Sequence, residues 1–105
     1  MTRLFMVKDE DGEPHLVAAV IDLDVWTYVA NTGKFHRNET ARHDYYFLHE
    51  LEYVEITIAE AQRLMAAGVG TFDEAEDPEI VQEWRDDRTA VDPEVVFASK
   101  VADLA

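Results

Sequence analysis

Apolar positions along this chain form two short runs and then alternate over residues 25–29 in its first third, and they take a period near 3.6 after residue 57. Leu4-Phe5-Met6-Val7 is a short apolar run, and a second follows over 15–21 (HLVAAVI). Between them, Lys8-Asp9-Glu10-Asp11-Gly12-Glu13-Pro14 carries an Asp-Gly pair and a proline, the marks of a turn. The pattern predicts a hairpin whose second strand is buried on both faces. Residues 25–29 alternate, with Trp26 and Tyr28 on one face and Val25, Thr27 and Val29 on the other. They predict a third strand, ended by Asn31-Thr32-Gly33. Asp22-Leu23-Asp24 joins it to the second strand, as a tight turn or as a bulge in one long strand.

Residues 38–51 fit two periods. A helix capped at Asn38 puts Asp44, Phe47, Leu48 and Leu51 near one face. Alternation through Tyr45, Phe47, His49, Leu51 and Tyr53 fits a strand as well. The reading adopted is a short helix to about residue 48, then a strand over 53–56. Thr57 stands three residues before Glu60, a capping box, and Ile58, Ala61, Leu64 and Met65 repeat at helical spacing. With Gly68 as the left-handed residue at its end, a helix over 58–67 is predicted. Asp77-Pro78-Glu79 and Asp92-Pro93-Glu94 each place aspartate at an N-cap, proline at the first helical position and glutamate in the first turn. They predict short helices over 78–87 and 93–104. Their fifteen-residue offset is shorter than solenoid periods, so it is one capping solution used twice. The expected fold is a single α+β domain over 1–105. It has a small, largely antiparallel sheet of three to four strands from residues 3–56, covered on one face by the 58–67 helix, with the two C-terminal helices beside it.

Composition narrows the chemistry. The 105 residues contain no cysteine, which excludes disulfides, thiolate metal sites and cysteine nucleophiles. No apolar run approaches the roughly 20 residues of a membrane span, and the apolar tetrad near the start is too short for a signal-peptide core. A cytoplasmic protein is expected. The net charge of −14 is unevenly spread: residues 51–105 hold fourteen acids against four bases, and residues 1–50 nine against five. Such a field disfavours nucleic acid and anionic membranes and attracts basic surfaces. It also serves solubility without any partner.

Three clusters are candidates for function. His36, His43 and His49 with Asp44 suggest a metal site, but His43 and His49 are six apart, about 120° around a helix or about 20 Å along a strand. No metal and no cofactor are expected. His36 and Arg37, with Asp44 as the carboxylate partner of His36, form the alternative catalytic group, a hydrolase-like base beside an anion-holding guanidinium. Seven of the eleven aromatic residues lie between 26 and 53; beyond core packing, Tyr45 and Tyr46 are candidates for a protein contact. Residues 73–94 hold ten acids, among them Glu83, Asp86 and Asp87, in a spacing that is not a calcium loop. The expected function is a small acidic module that docks a basic protein surface, as an inhibitor, immunity-like or accessory factor, through Tyr45, Tyr46, Glu83, Asp86 and Asp87. A structural homo-oligomer is the remaining alternative.

Overall fold

The structure, a computed structural model, describes residues 1–99. Five strands form one antiparallel sheet: β1 (Thr2–Lys8), β2 (Pro14–Ile21), β3 (Asp24–Val29), β4 (Lys34–Arg37) and β5 (Glu52–Ile56), in the order β4-β3-β2-β1-β5. The helices are α1 (Glu39–His43), which runs directly into a π-helical turn (Asp44–Leu48), α2 (Ile58–Ala66), α3 (Pro78–Asp86) and α4 (Pro93–Ala98). The fold is α+β, as the alternating periods indicate. No helix among the described residues is long and apolar enough to cross a membrane.

The sheet has one strand more than the pattern announces. β4 is only four residues, Lys-Phe-His-Arg, too short for alternation to register. It forms because the Asn31–Gly33 turn returns the chain onto β3, pairing Thr27 with His36 and Tyr28 with Phe35. On its other side Phe35 and Val91 exchange backbone hydrogen bonds of 2.8 and 2.9 Å. The Asp22-Leu23-Asp24 link is a tight turn, with Ile21 paired to Asp24 and Asp22 at φ 56°, a conformation aspartate tolerates.

Both faces of the sheet are covered, as a second strand buried on both sides requires, and the cover comes from more than the 58–67 helix. Leu4, Val17, Ala19 and Ile56 share a face with Phe35 and pack under Ala61, Leu64 and Met65 of α2 and Val96 and Phe97 of α4. On the opposite face Phe5, Val7, Leu16, Ala18, Val20 and Val25 are closed over by Ala41, Tyr45, Tyr46 and Phe72. The cause is visible in β2, whose run of Leu, Val, Ala, Ala and Val is buried at consecutive positions and so needs a cover on each side.

The capping box at α2 forms in full. Glu60 N–H donates to Thr57 Oγ1 at 3.2 Å, and Thr57 N–H to Glu60 Oε1 at 3.4 Å. Thr57→Ala should lower stability by about 1 kcal/mol, read as a lower urea midpoint at unchanged slope. An unaltered midpoint would show that the cap contributes nothing. Asp77 and Asp92 stand at the N-caps of α3 and α4, but neither side chain accepts a capping hydrogen bond. Their backbone carbonyls accept the first intrahelical bonds, from Val81 and from Val95 and Val96, and proline at the first helical position removes one orphan donor. α4 ends at Ala98, so the expected helix stops short there, and residues 100–104 lie outside the described residues.

Candidate functional site

The segment after β4 starts on a cap and ends on a buried carboxylate. Asn38 Oδ1 accepts the N–H of Ala41 at 2.9 Å, and its Nδ2 donates to Thr27 Oγ1 at 3.1 Å, which fixes α1 to the sheet. After one turn the helix widens into the π-turn, and Asp44 organises the return of the chain toward β5. Its carboxylate, 6% exposed, accepts from Tyr53 Oη at 2.8 Å and from the N–H groups of Glu50 and Leu51 at 2.9 and 3.2 Å. Its carbonyl accepts from the N–H of His49, a residue held at φ 53°. Burial pushes the Asp44 carboxyl up, but the Tyr53 hydroxyl and the two N–H groups outweigh it and hold the group below the usual carboxylate range. Burial and the Asp44 charge together raise the Tyr53 phenol.

This construction turns two large apolar side chains outward. Phe47 is 69% exposed and Leu48 52%, the former resting on the His43 ring at 5.3 Å between centroids. Tyr45 and Tyr46 go the other way, half-buried. Tyr45 packs on Phe5 and Tyr53 at 5.4 and 5.1 Å, and Tyr46 lies under the Arg42 guanidinium at 5.4 Å. The two tyrosines named as contact residues are therefore largely cover for the core, and the exposed pair is their C-terminal neighbours.

Opposite the π-turn stands α3. A cleft of about 870 Å³ runs between them. Leu16, Leu51, Phe72 and Trp84 form its apolar lining, with the Phe72 and Trp84 rings 4.5 Å apart. Leu48 and the 44% exposed Ile80 line it from opposite walls. Glu39, Glu50, Asp77 and Glu83 border it. Arg37 also borders it and is engaged by Glu39 at 3.4 Å and Asp24 at 3.9 Å, whereas Glu50, Asp77 and Glu83 make no ion pair among the described residues. Ile80 could be placed here from sequence: Ile80 and Val81 are adjacent, so on a helix they point about 100° apart and both cannot face the core. Val81 takes the core, and Ile80 is left outside.

His36 sits elsewhere. It is 1% exposed, with Nδ1 3.0 Å from Asp87 Oδ2 and Nε2 2.7 Å from Thr32 Oγ1, beneath the Trp84 ring. The pairing of His36 with Asp44 does not form, since Asp44 is committed to Tyr53 and the 50–51 backbone. Arg37 alternates to the other side of β4, where its register partner is Trp26. The structure thus separates His36, Arg37 and Asp44. It assembles instead a hydroxyl–imidazole–carboxylate line, Thr32–His36–Asp87. Thr32 Oγ1 also donates to the Val29 carbonyl at 3.1 Å, and the N–H groups of Thr32 and Gly33 are both spent on that same carbonyl. The Thr32 and Gly33 N–H groups are therefore not free to hold an oxyanion. The line pins the end of α3 to the sheet edge.

Asp87 is accordingly not a free surface charge. It also accepts from the N–H and hydroxyl of Thr89 at 2.9 and 2.6 Å. Burial pushes its carboxyl up, yet Thr89 and His36 bring it below the usual range. Glu83 and Asp86 are exposed as expected. Asp44 and Asp87 both have folded pKa values below their unfolded ones, so their contribution to stability is complete above the ordinary carboxylate range near 4 and fades as pH falls through the lowered values. The urea midpoint should fall between about pH 5 and pH 2. Asp87→Asn should lower the midpoint at pH 6 and reduce its acid dependence. An equal acid dependence in variant and wild type would remove Asp87 from this account.

Comparison of the chain with protein-family models, with curated proteins and with solved structures finds no match.

Proposed function

We propose that this protein is a small cytoplasmic binding module that docks a basic surface of another protein in the cleft between the π-turn and α3. The observation that carries this reading is the conjunction of apolar side chains left outside the core, Leu48 and Ile80, with three carboxylates that make no ion pair among the described residues, Glu50, Asp77 and Glu83. Apolar groups at the centre supply the affinity of an interface, and charges around them supply selectivity and association rate. The hydrolase-like alternative lacks an assembled group, and pairing of identical chains would bring two charges of −14 together.

Co-purification from the native host at low and physiological salt tests the reading. Wild type should retain one or more basic proteins that a Leu48→Ser/Ile80→Ser double variant releases. Glu83→Gln/Asp86→Asn should slow association with such a partner and leave dissociation nearly unchanged, most visibly where the Debye length is long, about 30 Å at 0.01 M salt. Retention of the same proteins by wild type and the double variant would overturn the assignment to the cleft.

A further inference from the structure

The cleft also constrains the shape of what enters it. We infer that its occupant is an amphipathic α-helix with a basic polar face, seated along the channel between the π-turn and α3 with its apolar stripe on Leu48, Ile80 and Trp84. This rests on the docking function proposed above and adds the secondary structure and register of the partner.

Three observations support it. First, the borders of the cleft are largely helical: α1 and the π-turn on one side, α3 on the other. Backbone groups within these elements are largely spent in their own hydrogen bonds, so they offer little pairing to an extended peptide. A strand laid there would bury its own N–H and C=O groups without partners, whereas a helix satisfies them internally. Second, the sheet edge nearest this cleft is already engaged, since Phe35 of β4 exchanges both its backbone hydrogen bonds with Val91. Strand addition at Phe35 of β4 is therefore blocked. Third, the exposed apolar groups come from opposite walls and the unpaired carboxylates flank them, Glu50 on one side and Asp77 and Glu83 on the other. An apolar stripe between two basic flanks is the pattern that an amphipathic helix repeats at i, i+3, i+4 and i+7. A second copy of this chain is disfavoured by its charge of −14.

The probe is a synthetic peptide of leucine and lysine alone, patterned so that leucine recurs at i, i+3, i+4 and i+7. Its control has the same composition in strict alternation, which favours a strand. Binding is followed by isothermal titration at physiological ionic strength, and peptide helicity by circular dichroism. The helical pattern should bind at least about tenfold more tightly than the alternating one and gain helix on binding. Leu48→Ser/Ile80→Ser, at exposed positions where folding is not at stake, should weaken it by about tenfold or more. If both peptides bind equally and both are weakened by the double variant, the helical occupant is overturned while docking in the cleft stands. If the helical peptide binds wild type and double variant alike, the seat of the helix is overturned. If neither peptide binds even at low salt, the docking function falls with it.

Discussion

Asp44→Ala should remove a large part of the protein's stability, costing on the order of 3–4 kcal/mol. One side chain accepts three hydrogen bonds, from Tyr53 Oη and from the N–H groups of Glu50 and Leu51. Bonds to an ionised acceptor contribute about 1.5–3 kcal/mol each, and buried donors left unmade cost about 1–3 kcal/mol. Alanine removes the acceptor and leaves the phenol and two backbone donors behind. Water entering the opened site recovers part of the loss, which is why the expected total is below the sum. A domain of this size has about 5–15 kcal/mol in all, so the variant should show a much lower urea midpoint and a melting temperature lower by more than roughly 10 °C. Tyr53→Phe separates the contributions: it deletes one of the three bonds and should cost only about 1–2 kcal/mol. If Asp44→Ala and Tyr53→Phe cost the same, the backbone bonds of Asp44 are worth nothing. Because the carboxylate holds the chain where it leaves the π-turn, Asp44→Ala should also weaken cleft binding more than its stability loss accounts for.

Gly70→Ala should be as damaging, for a steric reason. Gly70 has φ 93°, and a Cβ there would stand 2.5 Å from the carbonyl oxygen of Tyr28. That atom is backbone within β3, so it cannot swing aside. The same glycine accepts the N–H of Ala30 at 3.0 Å, and two residues on, Phe72 is clamped by Asn31 through bonds of 2.9 and 3.0 Å. Displacing Gly70 moves the segment that places Phe72 against Trp84. The expected cost is about 3 kcal/mol or more, with loss of the near-ultraviolet signal of Trp84. Gly68→Ala is the matched control: it has the same φ of 93°, but the nearest atom to its Cβ is Thr71 Oγ1 at 3.8 Å. It should cost only the conformational strain, about 1 kcal/mol. Equal losses at 68 and 70 would show that φ, and not the approach to Tyr28, decides.

What could be read from the chain alone was what is local. The β1–β2 hairpin, the β3 alternation, the Thr57 capping box and the proline starts of α3 and α4 each depend on residues within a few positions. β4 could not be read, because its stability comes from pairing with Tyr28 on one side and Val91 on the other, the latter fifty-six residues away from Phe35. The partner of His36 escaped for the same reason: Asp87 is distant in sequence, while Asp44 is near in sequence but bonds Tyr53 and the 50–51 backbone instead. The doubled helix starts were placed correctly, but the expected side-chain caps do not form, and proline at the first helical position and glutamate in the first turn remain as the start signals. Acidic positions around the cleft belonged to a run that looked uniform. Only packing distinguishes Asp87, which holds α3 down, from Glu83, which is exposed and makes no ion pair among the described residues.

The strand order has a consequence for how the chain acquires its shape. β4-β3-β2-β1 is a meander in which each strand pairs with its sequence neighbour, so this part can assemble from short-range contacts as it is synthesised. β5 then pairs with β1, Ile56 opposite Leu4, and Thr2 meets Ser99 through their hydroxyls at 2.6 Å. The first strand is thus interior to the sheet yet must keep one edge vacant until residues 52–56 arrive, and its final cover waits for α4. In a refolding experiment the meander should gain amide protection ahead of β5, and closure of the β1–β5 pair should set the slower rate.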